Sequence, residues 1–366
     1  MKLLIVARPF VFHGGVETAT AGLVQALVRH GHEVHLLSPA GQGAMPGVTL
    51  HRLPLPPLPA AARVVAQALF VRRLTRRRAW DVVQSHERTL GQDVFRAGEG
   101  CHRGYLDAVG ARSRGLYHRV VLALERRVFA TTPSIVAISR TGKAEIERLY
   151  DVPGDRVEVV YNGVDLERFR PENRARLGAA ARAEVALGKD VPLALFVGSG
   201  FERKGLATAF EALALGDRAR RLLVAGKGSR RAHEALATRL GVAERVLWLG
   251  PRQDIERWYA AADVVLLPTR YEPFGNVHLE ALASGVPVVT TTRAGGAEII
   301  AEGASGAVVA PGDAPATAAA MDRLRAEDPR VSEAARRGAE PFTFAAQVAA
   351  LTSVYRTCPR AKASFA

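Results

Sequence analysis

Two glutamates, Glu272 and Glu280, stand eight positions apart in YEPFGNVHLEALASGVPVV, residues 271–289. The first falls in a Pro-Phe-Gly turn and the second in a stretch with helical spacing, so the two are not placed to share a proton. Each is instead a good acceptor for a pair of sugar hydroxyls, because an ionised carboxylate offers two oxygens. Between them, Gly275 and Asn276 open a helix expected to run through Ala283. Free amides at such a start, around Phe274, Gly275 and Asn276, favour an anion. The spacing suits a ligand with hydroxyls at both ends and phosphate in the middle, which is the layout of a nucleotide sugar.

Three other stretches put anion-binding chemistry after a strand. FVGSGFERKGLATAF (196–210) has the glycines of a phosphate loop, but Lys204 precedes Gly205, so the Gly-Lys-Ser/Thr order of a P-loop is absent. What it offers is Arg203 and Lys204 just before a helix, two cations able to neutralise a diphosphate without a metal. The alternative is an ordinary solvated Arg-Lys pair. FHGGVETATAGLVQAL (12–27) brings Gly14 and Gly15 to a turn opening a helix, where backbone amides can approach an anion. It lacks GxGxxG, so it carries no dinucleotide fingerprint, and by itself it is equally an ordinary tight turn. In TTRAGGAEII (291–300), Gly295 and Gly296 are read as a further helix start with Glu298 in its first turn, which is also ordinary capping chemistry.

Positioning these groups takes two series of strands. KLLIVA (2–7), HEVHLLS (32–38), WDVVQS (80–85), SIVAIS (134–139) and VEVVYNG (157–163) alternate with helical patterns. After a polar, proline-containing segment near 166–190 the rhythm restarts with PLALFVGS, RLLVAGKG, VLWLG, DVVLLPT, PVVTT and GAVVAPG, between 192 and 312. Continuous apolar strands alternating with helices mean parallel sheets covered on both faces. The expectation is an α/β chain of two Rossmann-like, doubly wound domains, with the ligand beyond the carboxyl ends of the strands in a cleft between them. The 366 residues and 48% hydrophobic content suit two cores and argue against disorder. Two distant cysteines, Cys101 and Cys358, fit a reducing compartment. No 18-residue uncharged apolar run occurs, so a soluble cytoplasmic chain is expected. A net charge of +14, from 50 Lys and Arg against 36 Asp and Glu, makes a surface that attracts anions.

The Glu272–Glu280 spacing, the GG after the first strand, the RKG, the PFG, YNGVD (161–165) and GGAE (295–298) together resemble the retaining GT-B glycosyltransferases of family GT4. VGSGFERKG and GQDVFRAGEGCHRGYL bring the likeness nearest to the glucosyltransferases of the lipopolysaccharide core. The resemblance implies a GT-B fold with residues 1–168 as the acceptor domain, joined by a C-terminal helix at about 343–366, and 169–342 as the donor domain. It implies that Gly14 and Gly15 face the donor phosphates, and that Arg203 and Lys204 bind the diphosphate and stabilise its departing charge. Glu272 would meet the donor sugar, amides around Phe274, Gly275 and Asn276 the sugar and phosphate, and Glu280 the ribose. Ser199 stands where many relatives carry an arginine, which shifts the phosphate site onto Arg203 and Lys204. The implied reaction moves a hexose, glucose expected, from a UDP-sugar to a lipopolysaccharide core acceptor with α linkage. It proceeds by front-face attack, with no metal and no cofactor.

The acceptor contact would come from the first half, with Glu99 and His102 as candidates and His86 as a weaker one. Residues 104–129 read as a basic amphipathic helix. Tyr117, Val120, Val121, Leu124 and Val128 lie on one face, bordered by Arg112, Arg114, Arg119, Arg126 and Arg127. Such a helix can lie on an anionic membrane, with FVRRLTRRRAW (70–80) adding to the patch. A peripheral place on the inner face of the cytoplasmic membrane is therefore expected. The alternatives are a transferase for another lipid or soluble acceptor, a non-catalytic sugar-nucleotide binder, and a nucleic-acid binder. The last lacks a helix-turn-helix, zinc or single-strand aromatic motif.

Overall fold

A computed structural model describes residues 1–10, 15–75, 80–110 and 115–358. They form two compact units, the first built on residues 1–10, 16–163 and 344–358 and the second on Val164–Thr343.

The first unit contains β1 (Lys2–Val6), β2 (Glu33–Ser38), β3 (Val48–Arg52), β4 (Val82–Ser85), β5 (Val94–Arg96), β6 (Ser134–Ala137) and β7 (Val157–Val159). Around them lie α1 (Gly15–Arg29), α2 (Ala60–Thr75), α3 (His102–Ala108), α4 (Leu116–Thr131) and α5 (Arg140–Tyr150). The strands make one parallel sheet in the order β3-β2-β1-β4-β5-β6-β7. Two strands escape the apolar-run reading. β3 is a half-buried edge strand after a glycine- and proline-rich stretch, and β5 is three residues long.

The second unit contains β8 (Leu193–Val197), β9 (Arg221–Ala225), β10 (Val246–Gly250), β11 (Val264–Leu267), β12 (Val288–Thr291) and β13 (Gly306–Val309). Its helices are α6 (Ala179–Glu184), α7 (Leu206–Leu215), α8 (Arg230–Arg239), α9 (Ile255–Ala261), α10 (Asn276–Ala283), α11 (Ala314–Arg323) and α12 (Pro329–Ala339). The parallel order is β10-β9-β8-β11-β12-β13. Leu193–Phe196 and Val264–Leu267 are fully buried, as expected of central parallel strands covered by helices on both faces.

The chain then returns to the first unit through α13 (Phe344–Thr357). Val348, Leu351, Val354 and Tyr355 of α13 share a core with Leu3, Ile5, Val82 and Val94. The basic segment 104–129 is not one helix. α3 ends at Ala108 and α4 begins at Leu116, while Arg112 and Arg114 lie outside the described residues. Val121 and Val128 pack into their own unit, but Leu116 is 69% and Tyr117 42% exposed.

In each sheet the strand order reverses direction once, between β1 and β4 and between β8 and β11. The carboxyl ends of such a pair are where doubly wound sheets take ligands.

Candidate active site

In the second unit, the switch-point strands β8 and β11 deliver the two loops that carry the sequence-predicted groups. After β8 the chain turns through Gly198–Gly205 into α7. Gly205 caps that helix at φ +77°, and a Cβ there would sit 1.8 Å from the Pro268 carbonyl oxygen, so only glycine fits. This close approach lays Arg203 and Lys204 against the loop after β11. The Arg270 amide and the Thr269 hydroxyl both donate to the Arg203 carbonyl, at 2.9 and 3.0 Å.

Glu272 lies in that second loop and holds both cations. Arg203 Nη1 donates to Glu272 Oε2 at 3.0 Å and to the Tyr271 carbonyl at 2.8 Å, and Lys204 Nζ donates to the same Glu272 oxygen. Burial would raise the Glu272 pKa, but Lys204 and then Arg203 overcome it and hold the carboxyl at about 2. Lys204 moves the other way for a cation: burial lowers its pKa more than Glu272 restores it. The two cations expected to face a diphosphate are thus joined to the carboxylate expected to face a sugar. They form one cluster in which each charge has an internal partner.

The main chain of Glu272 is clamped to the loop after β12. Its amide donates to Arg293 O at 3.1 Å, Gly295 N donates to Glu272 O at 2.8 Å, and Gly296 N donates to Phe274 O at 2.9 Å. Gly295 and Gly296, read as a helix start, belong instead to a short 3-10 turn, Gly295–Ile299. Phe274 is buried, and Gly275 caps α10 at φ +84° with Asn276 as its first residue. Glu280 sits on α10, held by the Tyr259 hydroxyl of α9, which donates to Oε2 at 2.8 Å. Burial raises the Glu280 pKa despite that bond.

Gly15 is the first residue of α1, and Gly14 lies outside the described residues. Glu99 bridges two arginines: Arg8 Nη2 reaches Oε1 at 2.6 Å and Arg88 Nη1 reaches Oε2 at 3.2 Å. Burial would raise its pKa, but Arg8 and Arg88 hold it below the ordinary value. Arg8 also pairs with Glu87, and Arg88 with the fully buried Glu125. His102 opens α3. Its Nε2 lies 3.0 Å from His118 Nδ1, with the rings stacked, and burial lowers its pKa. Glu99 thus stands half-exposed in an arginine clamp, while His102 is engaged by another imidazole. His86 belongs to a buried chain. Tyr355 Oη donates to Gln84 Oε1 at 2.8 Å, Gln84 Nε2 donates to His86 Nε2 at 2.7 Å, and His86 Nδ1 lies 3.3 Å from Thr20 Oγ1. Burial keeps that imidazole neutral, so His86 is a packing residue joining α13 to α1.

Tyr259, His278, Arg8 and Arg88 are site neighbours that the sequence reading did not single out. Tyr259 and Glu280 are 21 positions apart on different helices, so no local pattern joins them. His278, one turn from Gly275, was the accessible signal. Among the described residues, no group of three or more His, Cys, Asp or Glu is arranged to hold a metal.

Two family models match the chain, Glycosyltransferase Family 4 over residues 13–168 and Glycosyl transferases group 1 over residues 191–327. A D-inositol 3-phosphate glycosyltransferase from Xylanimonas cellulosilytica is 30% identical, over 93% of this chain and 91% of its own length. The chain belongs to the family 4 glycosyltransferases. This glycosyltransferase is also 29% identical to the lipopolysaccharide glucosyltransferase WaaG of Escherichia coli K12, over 81% of this chain and 82% of that protein. The crystal structure of WaaG, a glycosyltransferase involved in lipopolysaccharide biosynthesis, matches it with a TM-score of 0.80 at 25% identity, covering 98% and 99% of the two chains. The fold is GT-B.

Proposed function

We propose that this glycosyltransferase moves a hexose, glucose first, from a UDP-sugar to a lipopolysaccharide core acceptor with retention. The observation that carries this reading is the Arg203–Lys204–Glu272 cluster at the carboxyl ends of β8 and β11. Two cations bound to one carboxylate have only to exchange partners. The donor diphosphate takes Arg203 and Lys204, and Glu272 turns to the sugar hydroxyls. Glu280, fixed by Tyr259, takes the ribose, and the first turn of α10, through the amides at Gly275 and Asn276, takes charge developing between them. Gly14 and Gly15 are assigned to the donor phosphates by the family resemblance.

The chemistry is a front-face substitution. The anomeric carbon–oxygen bond breaks with its electron pair leaving on the diphosphate. The acceptor oxygen bonds to the same face, and its proton passes to the departing diphosphate. The protein's part is charge stabilisation and positioning, and no metal or cofactor is assigned to it. Glu99, held by Arg8 and Arg88, is the proposed contact to the acceptor hydroxyl, with His102 beside it.

The exposed Leu116 and Tyr117, with Arg119, Arg126 and Arg127 on the same helix and the exposed Leu69 on α2, support a lipid-borne acceptor at the inner membrane surface. The Xylanimonas relative favours a second reading, in which the acceptor is a small soluble phosphorylated polyol. UDP release from a panel of UDP-sugars, with truncated core glycolipid in one arm and inositol 3-phosphate in the other, separates the two. Release that depends on the glycolipid, giving an α-linked product by NMR, is expected. A β-linked product contradicts the retaining assignment, and release with inositol 3-phosphate alone selects the second reading.

A further inference from the structure

The Glu272 turn is built around a side chain that neither the family motif nor the mechanism uses. His278 of α10 is fully buried. Its Nδ1 lies 2.7 Å from the Gly275 carbonyl, which can only accept, so Nδ1 carries the hydrogen. Its Nε2, left as an acceptor, lies 2.9 Å from Thr290 Oγ1, whose single hydroxyl hydrogen is shared between that nitrogen and the Leu267 carbonyl at 3.1 Å. The ring therefore ties the cap of α10 to the carboxyl ends of β11 and β12.

Two glycines make room for the ring. A Cβ on Gly275 would sit 2.9 Å from Nδ1 and 3.0 Å from Glu272 Cγ, and one on Gly296 would sit 2.4 Å from Nδ1. Gly296 is the residue whose amide holds Phe274 O, next to the bond from Gly295 N to Glu272 O. His278 thus fills the wedge between the two loops whose main chains hold Glu272.

We propose that His278 is a positioning residue that sets donor-sugar selectivity by fixing the Glu272 turn. The proposal rests on the reading above that Glu272 meets the donor sugar. A carboxylate discriminates epimeric hydroxyls only if its backbone is held to a fraction of an ångström, and the buried imidazole, donating from Nδ1 to the Gly275 carbonyl and wedged against Thr290 and the two glycines, supplies that restraint. UDP binding rests chiefly on the side chains of Arg203, Lys204 and Glu280, whereas the ring acts on the α10 cap through the Gly275 carbonyl and Thr290, so UDP affinity should respond less than donor selectivity does.

The test compares kcat/KM for UDP-glucose and UDP-galactose in wild type, His278→Leu and His278→Asn, with UDP affinity measured alongside as the check on folding. The milder His278→Asn keeps an N–H donor toward Gly275 O. Glu272→Gln serves as the reference. In His278→Leu the ratio between the two donors is expected to fall about tenfold or more while UDP affinity stays within a factor of about two. His278→Asn is expected to retain part of the ratio. If Glu272→Gln shifts the ratio and the His278 variants that still bind UDP do not, the positioning role is wrong. If Glu272→Gln leaves the ratio unchanged, the assignment of Glu272 to the sugar falls, and the role of His278 falls with it.

Discussion

At the scale of single residues, the site turns on how three charges share one pocket. Glu272 is held at about 2 by Lys204 and Arg203 against its burial, well below its ordinary value of 4.5. A carboxylate with a lowered folded-state pKa contributes stability that is present above the unfolded value and lost as pH falls through the folded one. The second unit should therefore weaken between pH 4.5 and about 2, by at most ~3 kcal/mol, in acid titrations followed by denaturant unfolding. Lys204 limits that figure, because its own burial outweighs what Glu272 returns to it. For the same reason Lys204→Ala relieves a desolvated cation and leaves Arg203 on Glu272. The variant should stay folded by circular dichroism while UDP release falls ~10²-fold or more, the scale of losing one charge-stabilising donor. Glu272, Glu280, Arg203 and Lys204 were legible because their types and spacing are local to two loops. That the cations would face Glu272 itself was not legible, since the pairing spans 68 and 69 positions.

At the scale of elements, glycines and one buried acid fix where helices begin. Gly205→Ala drives a Cβ into the Pro268 carbonyl at φ +77°. It should cost more than ~2 kcal/mol of stability in urea unfolding and remove transfer activity with it. In the first unit Glu125, on α4, accepts from the amide of His102 at 2.8 Å, from Arg88 Nε at 2.9 Å and from the Tyr150 hydroxyl. It caps α3 from another helix. Glu125→Leu leaves all three donors without that acceptor and should lower unfolding stability by ~3–5 kcal/mol, as for a broken buried pair. Apolar runs showed the central strands because both faces of those strands are buried. They missed β3, an edge strand with no fully buried residue and a Thr-Leu-His-Arg sequence, and β5, which is too short to show a period. The basic segment 104–129 was also read as one helix, although every apolar position that marked its face, Tyr117 to Val128, lies in α4 alone.

At the scale of the whole molecule, the two sheets follow from the doubled strand-helix rhythm, and the return of α13 to the first unit is what the family resemblance implied. The fold was therefore more legible than the acceptor. The excess of arginine was legible as a charged surface, but the apolar face read between the arginines was not free, because Val121 and Val128 turn out to pack inward. What α4 leaves outside is Leu116, Tyr117 and its arginines. Replacing Arg119, Arg126 and Arg127 by Gln should weaken binding to anionic vesicles by ~1 kcal/mol per residue in co-sedimentation, more at low salt than at high salt, while UDP affinity is unchanged. Equal binding of wild type and triple variant would remove this surface from the account.

The central claim is that the second unit grips a nucleoside diphosphate sugar, with cations on the diphosphate and Glu280 on the ribose. Calorimetric titration of UDP into wild type, Lys204→Ala and Glu280→Gln tests it most directly. The account predicts a Kd raised ~10- to 100-fold in each variant, the worth of a hydrogen bond to a charged group. Wild-type affinity in both variants would contradict it.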